Sequence, residues 1–245
     1  MRFGTKHKLN TQLARIGFDT FITRNISFIL LVEKKSDVPI YAMTVYDSIC
    51  PLTKKLFMDR IKTAIDFSHI GNNTIILDIG VNTGQLLKTI RVSNNLCECW
   101  GIDIEPGIKT LQIENCKLQV ADVQNLPFAD NHFDVVFALD ILEHVKQADA
   151  GIKEIHRVLK SNGLAILSGP TESWFYKLCR FIQFGVITKN LTRNKPGFSG
   201  EIDYHFYTVY ELEDKFLKAG FKKIKEKSLP GRLLPTLFRI TTFQK

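Results

Sequence analysis

From Thr74 onward, short β-branched runs alternate with stretches whose apolar residues recur at helical spacing. Parallel strands cannot be joined by tight turns, so this alternation predicts crossover helices and an α/β fold: a mostly parallel sheet with helices on both faces. Strands are expected at Thr74 to Ile79, Glu98 to Ile104, Leu118 to Ala121, Phe133 to Ala138 and Leu164 to Ser168. Gln85 to Ile90 begins a helix, and Pro106 stands where another would start. Ile152, Ile155, Val158 and Leu159 share a helical face, with Gly163 as the expected stop. A helix from about Val209 to Ala219 ends at Gly220, and strands at Phe221 to Lys227 and Pro235 to Phe243 bring the sheet to seven.

The flanks are less regular. Residues 1 to 53 read as an N-terminal extension, a candidate substrate lid, in which Ser27 to Val32 is either a strand or a buried helical turn. Lys54 to Phe67 places Phe57, Ile61, Ala64 and Ile65 on one helical face and opens the domain that runs to residue 245. Between about 171 and 204 the chain turns aromatic and basic, which marks an insertion. Within Trp174 to Phe184, Lys177, Arg180 and Gln183 share one face and the rest is apolar. Such a helix either closes over a site as a lid or lies on a membrane surface, in which case residues 174–187 make a peripheral contact.

With 245 residues, 44% hydrophobic and 24% charged, the chain suffices for one full-sized core and is not of disordered type. Residues 1–70 carry 11 Lys/Arg against 6 Asp/Glu (+5), 71–167 carry 8 against 12 (−4), and 168–245 carry 14 against 7 (+7). Basic flanks attract RNA, anionic lipid or phosphorylated ligands, but equally serve solubility. The five cysteines lack zinc-site spacing, so no metal is assigned, and Cys97 and Cys99 read as small buried hydrophobes. Without a secretory signal or an apolar run near 20 residues, a cytoplasmic protein is expected.

Three carboxylates carry the chemistry. The first strand runs into Asp78-Ile79-Gly80-Val81-Asn82-Thr83-Gly84, a turn whose glycines admit a ligand close to the backbone. Dinucleotide binding requires G-x-G-x-x-G, whereas here Asn82 follows Gly80 and Gln85 takes the place of the third glycine. A pyrophosphate is disfavoured, also because Asp78 lies two residues before Gly80. Asp103, 23 residues beyond Gly80, ends the second strand where a carboxylate accepts both hydroxyls of a ribose. Asp122 follows the third strand. The carboxyl ends of parallel strands converge on one crevice, so all three carboxylates can face one ligand, although each alone would also serve as a turn cap.

These segments resemble the class I S-adenosylmethionine-dependent methyltransferases that modify small molecules, lipids and glycans, a family with a Rossmann-like sheet. LDIGVNTG resembles the first motif, GIDIEP the ribose-binding strand end, and ADVQNLPFADNHFDVVFALDILEHV the adenine and fourth-strand motifs, followed by HRVLKSNGLAILSGP. The resemblance implies that Asp78, Gly80, Asn82 and Gly84 hold the methionine part of the cofactor and Asp103 the ribose. It implies Asp122 for the adenine amino group, Ile104 and Val123 on the ring, and Ala138, Leu139 and Asp140 beneath the methionine end. Asn82 replaces a common glycine, tolerable because Asn enters left-handed backbone readily. Ser161-Asn162-Gly163 replaces the usual Pro-Gly-Gly.

Methyl transfer from a sulfonium is an in-line displacement in which positioning does most of the work, and a hydroxyl acceptor also needs a base. His205, His144, Asp140 and Glu143 are the candidates. The expected partner is a small-molecule, glycan or lipid-linked acceptor. Two alternatives remain: an RNA methyltransferase, suggested by the basic flanks but lacking an RNA-binding module, and a scaffold that keeps the fold without catalysis.

Overall fold

A computed structural model of the chain describes residues 51–94, 96–173, 205–231 and 235–245. The expectations for Ser27 to Val32, for the extension up to residue 50, for the amphipathic helix Trp174 to Phe184 with its membrane contact 174–187, and for the insertion beyond residue 173 lie outside the described residues. Among the described residues four helices and seven strands follow in the order α1 (Pro51–Ser68), β1 (Ile75–Ile79), α2 (Gln85–Ser93), β2 (Glu98–Asp103), β3 (Cys116–Val120), β4 (Phe133–Leu139), α3 (Ala148–Val158), β5 (Leu159–Pro170), α4 (Val209–Lys218), β6 (Lys222–Leu229) and β7 (Phe238–Gln244). Pro106–Thr110 forms a 3-10 turn in place of the expected helix, and Leu142–His144 forms another.

The strands make one sheet in the order β3-β2-β1-β4-β5-β7-β6. β1 to β5 run parallel, and β7 lies antiparallel to both β5 and β6. The order reverses between β1 and β4, where Ile79 pairs with Ala138. Loops leaving two neighbouring strands there turn to opposite faces and open a crevice at the carboxyl ends, the usual ligand position in such sheets.

Side chains alternate across the sheet and build two cores. Ile76, Val135, Phe137 and Ile166 pack with Ile61, Ala64 and Phe67 of α1 and with Leu86, Leu87 and Ile90 of α2. Leu77, Val136, Ala138, Ala165 and Leu167 pack on the opposite face with Ile152, Ile155 and Val158 of α3 and Val209, Leu212 and Phe216 of α4. The period of two along each strand and the helical spacing on each helix thus meet without conflict. α4 begins in a capping box: Glu211 N donates to Thr208 Oγ1 at 3.3 Å, and Thr208 N donates to Glu211 Oε2 at 2.7 Å.

One expectation fails at Gly163. The helix stops at Val158, five residues earlier, because Leu159 already pairs with Phe133 in the sheet. Pairing resumes between Val135 and Leu164, so Lys160 to Gly163 forms an irregularity inside β5. Gly163 is needed there for space: a Cβ would lie 2.9 Å from Lys160 O and 3.1 Å from Asp134 O.

Part of the basic C-terminal flank has a structural role. Lys222, Lys223, Lys225 and Lys227 lie along the exposed edge strand β6, where lysines discourage pairing with another chain. Lys225 Nζ also stands 4.2 Å from the centroid of the Phe67 ring. No helix among the described residues is long and apolar enough to cross a membrane.

The tightest approach in the sheet is at Gly101 of β2, where a Cβ would meet Val81 Cγ2 at 2.5 Å, Leu118 Cδ2 at 2.8 Å and Leu87 Cδ1 at 3.0 Å. Gly101→Ala is therefore expected to lower stability by about 1–3 kcal/mol through overpacking. At Gly107 a Cβ would meet nothing within 4 Å, so Gly107→Ala should be neutral or raise stability by up to about 1 kcal/mol. Urea unfolding midpoints check both, and equal midpoints for the two variants would contradict this packing.

Candidate active site

The loop after β1 is built from residues in left-handed backbone: Gly80 (φ 79°), Asn82 (φ 49°) and Gly84 (φ 74°). Isoleucines press on it from two sides, since a Cβ on Gly80 would lie 3.0 Å from Ile141 Cγ1 and one on Gly84 2.2 Å from Ile113 Cδ1. Four of its N–H groups are spent within the protein. Gly80 N and Val81 N donate to Ile102 O at 2.8 and 3.1 Å, and Gly84 N donates to Val81 O at 2.8 Å. Asn82 N donates to Asp103 Oδ2 at 2.9 Å. These four donors are therefore not offered to a ligand, and the disfavouring of a pyrophosphate rests on the glycine spacing and on the buried Asp78 carboxyl.

Asp103 takes a second backbone donor on its other oxygen, from Glu105 N at 3.0 Å. Each of its oxygens thus holds one N–H and keeps capacity for another donor, as binding of a diol requires. Ala121 N donates to Asp103 O at 3.0 Å, which ties the end of β3 to the end of β2. Asp122 then folds into a turn, accepting from Gln124 N at 2.9 Å and from Gln124 Nε2 at 3.1 and 3.3 Å. The cap role weighed for Asp122 is therefore real, although its carboxylate stays half-exposed beside the crevice. Ile104 is 62% exposed at the crevice end of β2, open to cover a flat ring. Val123 is different: its side chain is turned into the core against Gly151, which leaves its backbone, not its side chain, for a ligand. Ala138 is buried and Leu139 half-buried at the end of β4.

Asp78 is buried at the end of β1. Burial, and next the charge of Asp103, push its carboxyl up to about 7, with Arg60 opposing. Arg60 comes from α1, 4% exposed, with its guanidinium 4.9 Å from the Phe57 ring centroid and 5.4 Å from that of Phe238. It pairs with Asp140, whose other oxygen accepts from Ser168 Oγ at 2.9 Å. Both Asp140 oxygens are thus engaged by protein groups at the crevice floor.

The other candidates gather on the β4 and β5 side. Glu143 is 1% exposed, and burial pushes it up to about 7 against its own backbone N–H and Arg60, with Glu172 adding to the rise. The imidazoles of His144 and His205 meet edge to face, with centroids 4.8 Å apart. His205 Nδ1 lies 2.5 Å from Glu172 Oε1. Phe206 N donates to Glu143 O at 2.7 Å and Tyr207 Oη to Lys146 O at 2.9 Å, which pins the segment after His205 to the turn carrying His144. Sequence reasoning missed Arg60, Ser168 and Glu172. Each reaches the crevice through a tertiary contact, and no local spacing signals it.

The residues that build the crevice coincide with a known family. A model of the methyltransferase domain matches residues 77–167. Over 201 residues the chain is 30% identical to the demethylmenaquinone methyltransferase of Staphylococcus aureus strain JH9, covering 71% of this chain and 83% of that protein. The demethylmenaquinone methyltransferase of Staphylococcus epidermidis is 32% identical over 131 residues, 50% of this chain, and there the match spans about half of the relative, 54%. Among solved structures, the N-methyltransferase NodS of Bradyrhizobium japonicum WM9, in complex with S-adenosyl-L-homocysteine, aligns with a TM-score of 0.56 at 13% identity, over 80% of this chain and 89% of NodS. At that identity the likeness is one of fold.

Asp78 offers a test of this electrostatic picture. Its carboxyl ionises near 3.8 in the unfolded chain but stays protonated to about 7 when folded, so the folded state binds the extra proton between those values. Its contribution to stability is complete below pH 4, declines as pH rises toward 7 and levels off above. Asp78→Asn, which cannot ionise, should gain on the wild type over that window, with urea midpoints at pH 4 to 8 as the measurement. A difference between the two chains that is independent of pH would contradict the assignment.

Proposed function

Because the chain belongs to the class I S-adenosylmethionine-dependent methyltransferases, we propose that it transfers a methyl group to a small-molecule or lipid-linked acceptor bearing an ionisable hydroxyl. The observation that carries this reading is the division of labour at the crevice. The N–H groups of Gly80, Val81, Asn82 and Gly84 are used within the protein, while Asp103 keeps acceptor capacity for a ribose beside them.

The chemistry of the site suits the cofactor, whose ammonium and sulfonium charges call for carboxylates. Asp103 is assigned to the ribose hydroxyls and Asp78 to the ammonium. The first N–H groups of α2, where Gly84 supplies no side-chain cap, suit its carboxylate. Asp122 accepts from the adenine amino group and Ile104 covers the ring, with Ala138 and Leu139 flanking the methionine end. When bound, the cofactor supplies an electrophilic methyl carbon on a positively charged sulfur.

The chain's own task is then to hold the acceptor in line and manage its proton. His205, oriented by Glu172 through Nδ1, is the group we assign to that proton, and His144 lines the same wall. Demethylmenaquinone, named for the relatives, is the first acceptor to assay. The three described cysteines are free thiols, which suits a cytoplasmic, reducing setting.

Two variants separate the halves of the site. Asp103→Ala should weaken binding of S-adenosylhomocysteine by two charge-assisted hydrogen bonds, about 3–6 kcal/mol or two to four decades in Kd. His205→Ala should leave that Kd unchanged and lower turnover by about 100-fold or more. Calorimetry and a radiolabelled-methyl assay read the two effects. Unaltered cofactor affinity in Asp103→Ala, or full turnover in His205→Ala on a methylated acceptor, would remove the corresponding assignment.

A further inference from the structure

Glu143 presents a problem that methyl transfer alone does not explain. It is 1% exposed, and its Oε2 has no hydrogen-bond partner among the described residues. A buried polar atom left unsatisfied costs about 1–3 kcal/mol, more if charged, so native chains seldom keep one without a ligand to complete it. Its neighbours supply that ligand's other partners. One oxygen of Glu143 and one ring nitrogen each from His144 and His205 all lie within 4.8 Å of one another.

We propose that Glu143, His144 and His205 bind a divalent transition-metal ion on the acceptor side of the crevice. The inference rests on the methyltransferase reading for its purpose but not for its geometry. Ligand atoms around an ion at 2.0–2.2 Å stand about 3–3.5 Å apart, so the three side chains need to close by at most about 1.3–1.8 Å.

The donor set favours one class of ion. Two imidazoles and a carboxylate suit zinc, manganese, iron or cobalt, whereas magnesium and calcium prefer shells of oxygen. Glu172 completes the arrangement from outside. By holding His205 Nδ1 at 2.5 Å it leaves Nε2 for the ion, the carboxylate–histidine relay that fixes a metal-binding ring. The hydrogen bonds from Phe206 N and Tyr207 Oη supply the remaining preorganisation, since they fix His205 over the turn bearing the other two ligands.

Three protein ligands leave coordination positions open, and an acceptor hydroxyl there would ionise more readily, releasing its proton to solvent. His205 then acts on the acceptor's proton through the ion, not by accepting it directly. The separation of the two histidines by 61 positions explains why no metal motif shows in the sequence.

The test uses the full chain without an affinity tag, stripped with a chelator and titrated calorimetrically with Mn²⁺, Zn²⁺ and Mg²⁺. The expected result is one Mn²⁺ or Zn²⁺ per chain, with Mg²⁺ at least about 10-fold weaker. His205→Ala and Glu143→Gln should each weaken binding by about 100-fold or more, and Glu172→Gln by about 10- to 100-fold. Unfolding midpoints in metal-free buffer identify any variant that fails to fold, and His144→Ala replaces it. A stripped wild type that takes up neither ion, or folded variants that bind as well as the wild type, would overturn the site. S-adenosylhomocysteine binding to the same samples keeps the two readings apart. Full methyl transfer by a metal-free chain removes the ion and leaves the function, while metal uptake without cofactor affinity supports the ion and contradicts the function.

Discussion

Asp103 is the point on which the crevice hangs. One carboxylate oxygen receives the N–H of Asn82 from the loop after β1, and the other receives that of Glu105 from the loop after β2. Two strand ends are thereby locked together through a single side chain, and its backbone oxygen adds the end of β3 through Ala121. The clasp still leaves each Asp103 oxygen capacity for one more donor, as a ribose requires. With Asp78 and Asp122 at the neighbouring strand ends, it forms a row of carboxylates suited to a cationic nucleoside.

Arg60 keeps that row from being untenable. Asp78 and Glu143 are buried, and beyond burial the charge of Asp103 opposes ionisation of the first and that of Glu172 ionisation of the second. The guanidinium pairs with Asp140 and draws the carboxyls of Asp78 and Glu143 back down, though not far enough to undo burial. Its own position is set by aromatic packing between Phe57 of α1 and Phe238 of β7, so a helix and an antiparallel strand together hold the charge balance at the switch between β1 and β4.

The sequence revealed what is local and periodic. The strand alternation, the loop from Asp78 to Gly84, and the placement of Asp103 and Asp122 at strand ends all rest on short-range spacing, and the structure has them where that spacing puts them. Gly163 shows the limit: glycine after a helical stretch suggests a stop, yet early pairing of Leu159 with Phe133 ended the helix first and left the glycine to relieve a backbone clash. Val123 shows another, since a residue beside a ligand-facing aspartate can still send its side chain into the core. Arg60, Ser168 and Glu172 were illegible because their roles exist only once distant segments meet. The grouping of Glu143, His144 and His205 is of the same kind, half visible in Glu143-His144 and completed by a residue 61 positions beyond His144.

The central claim is that this crevice receives S-adenosylmethionine. Calorimetric titration of the intact chain with S-adenosylhomocysteine at pH 8, where Asp78 is ionised, tests it most directly. One site per chain is expected, with affinity falling as pH drops below about 7 and protons taken up again by Asp78. Absence of heat at any pH, together with an unfolding midpoint that the ligand does not move, would contradict the account.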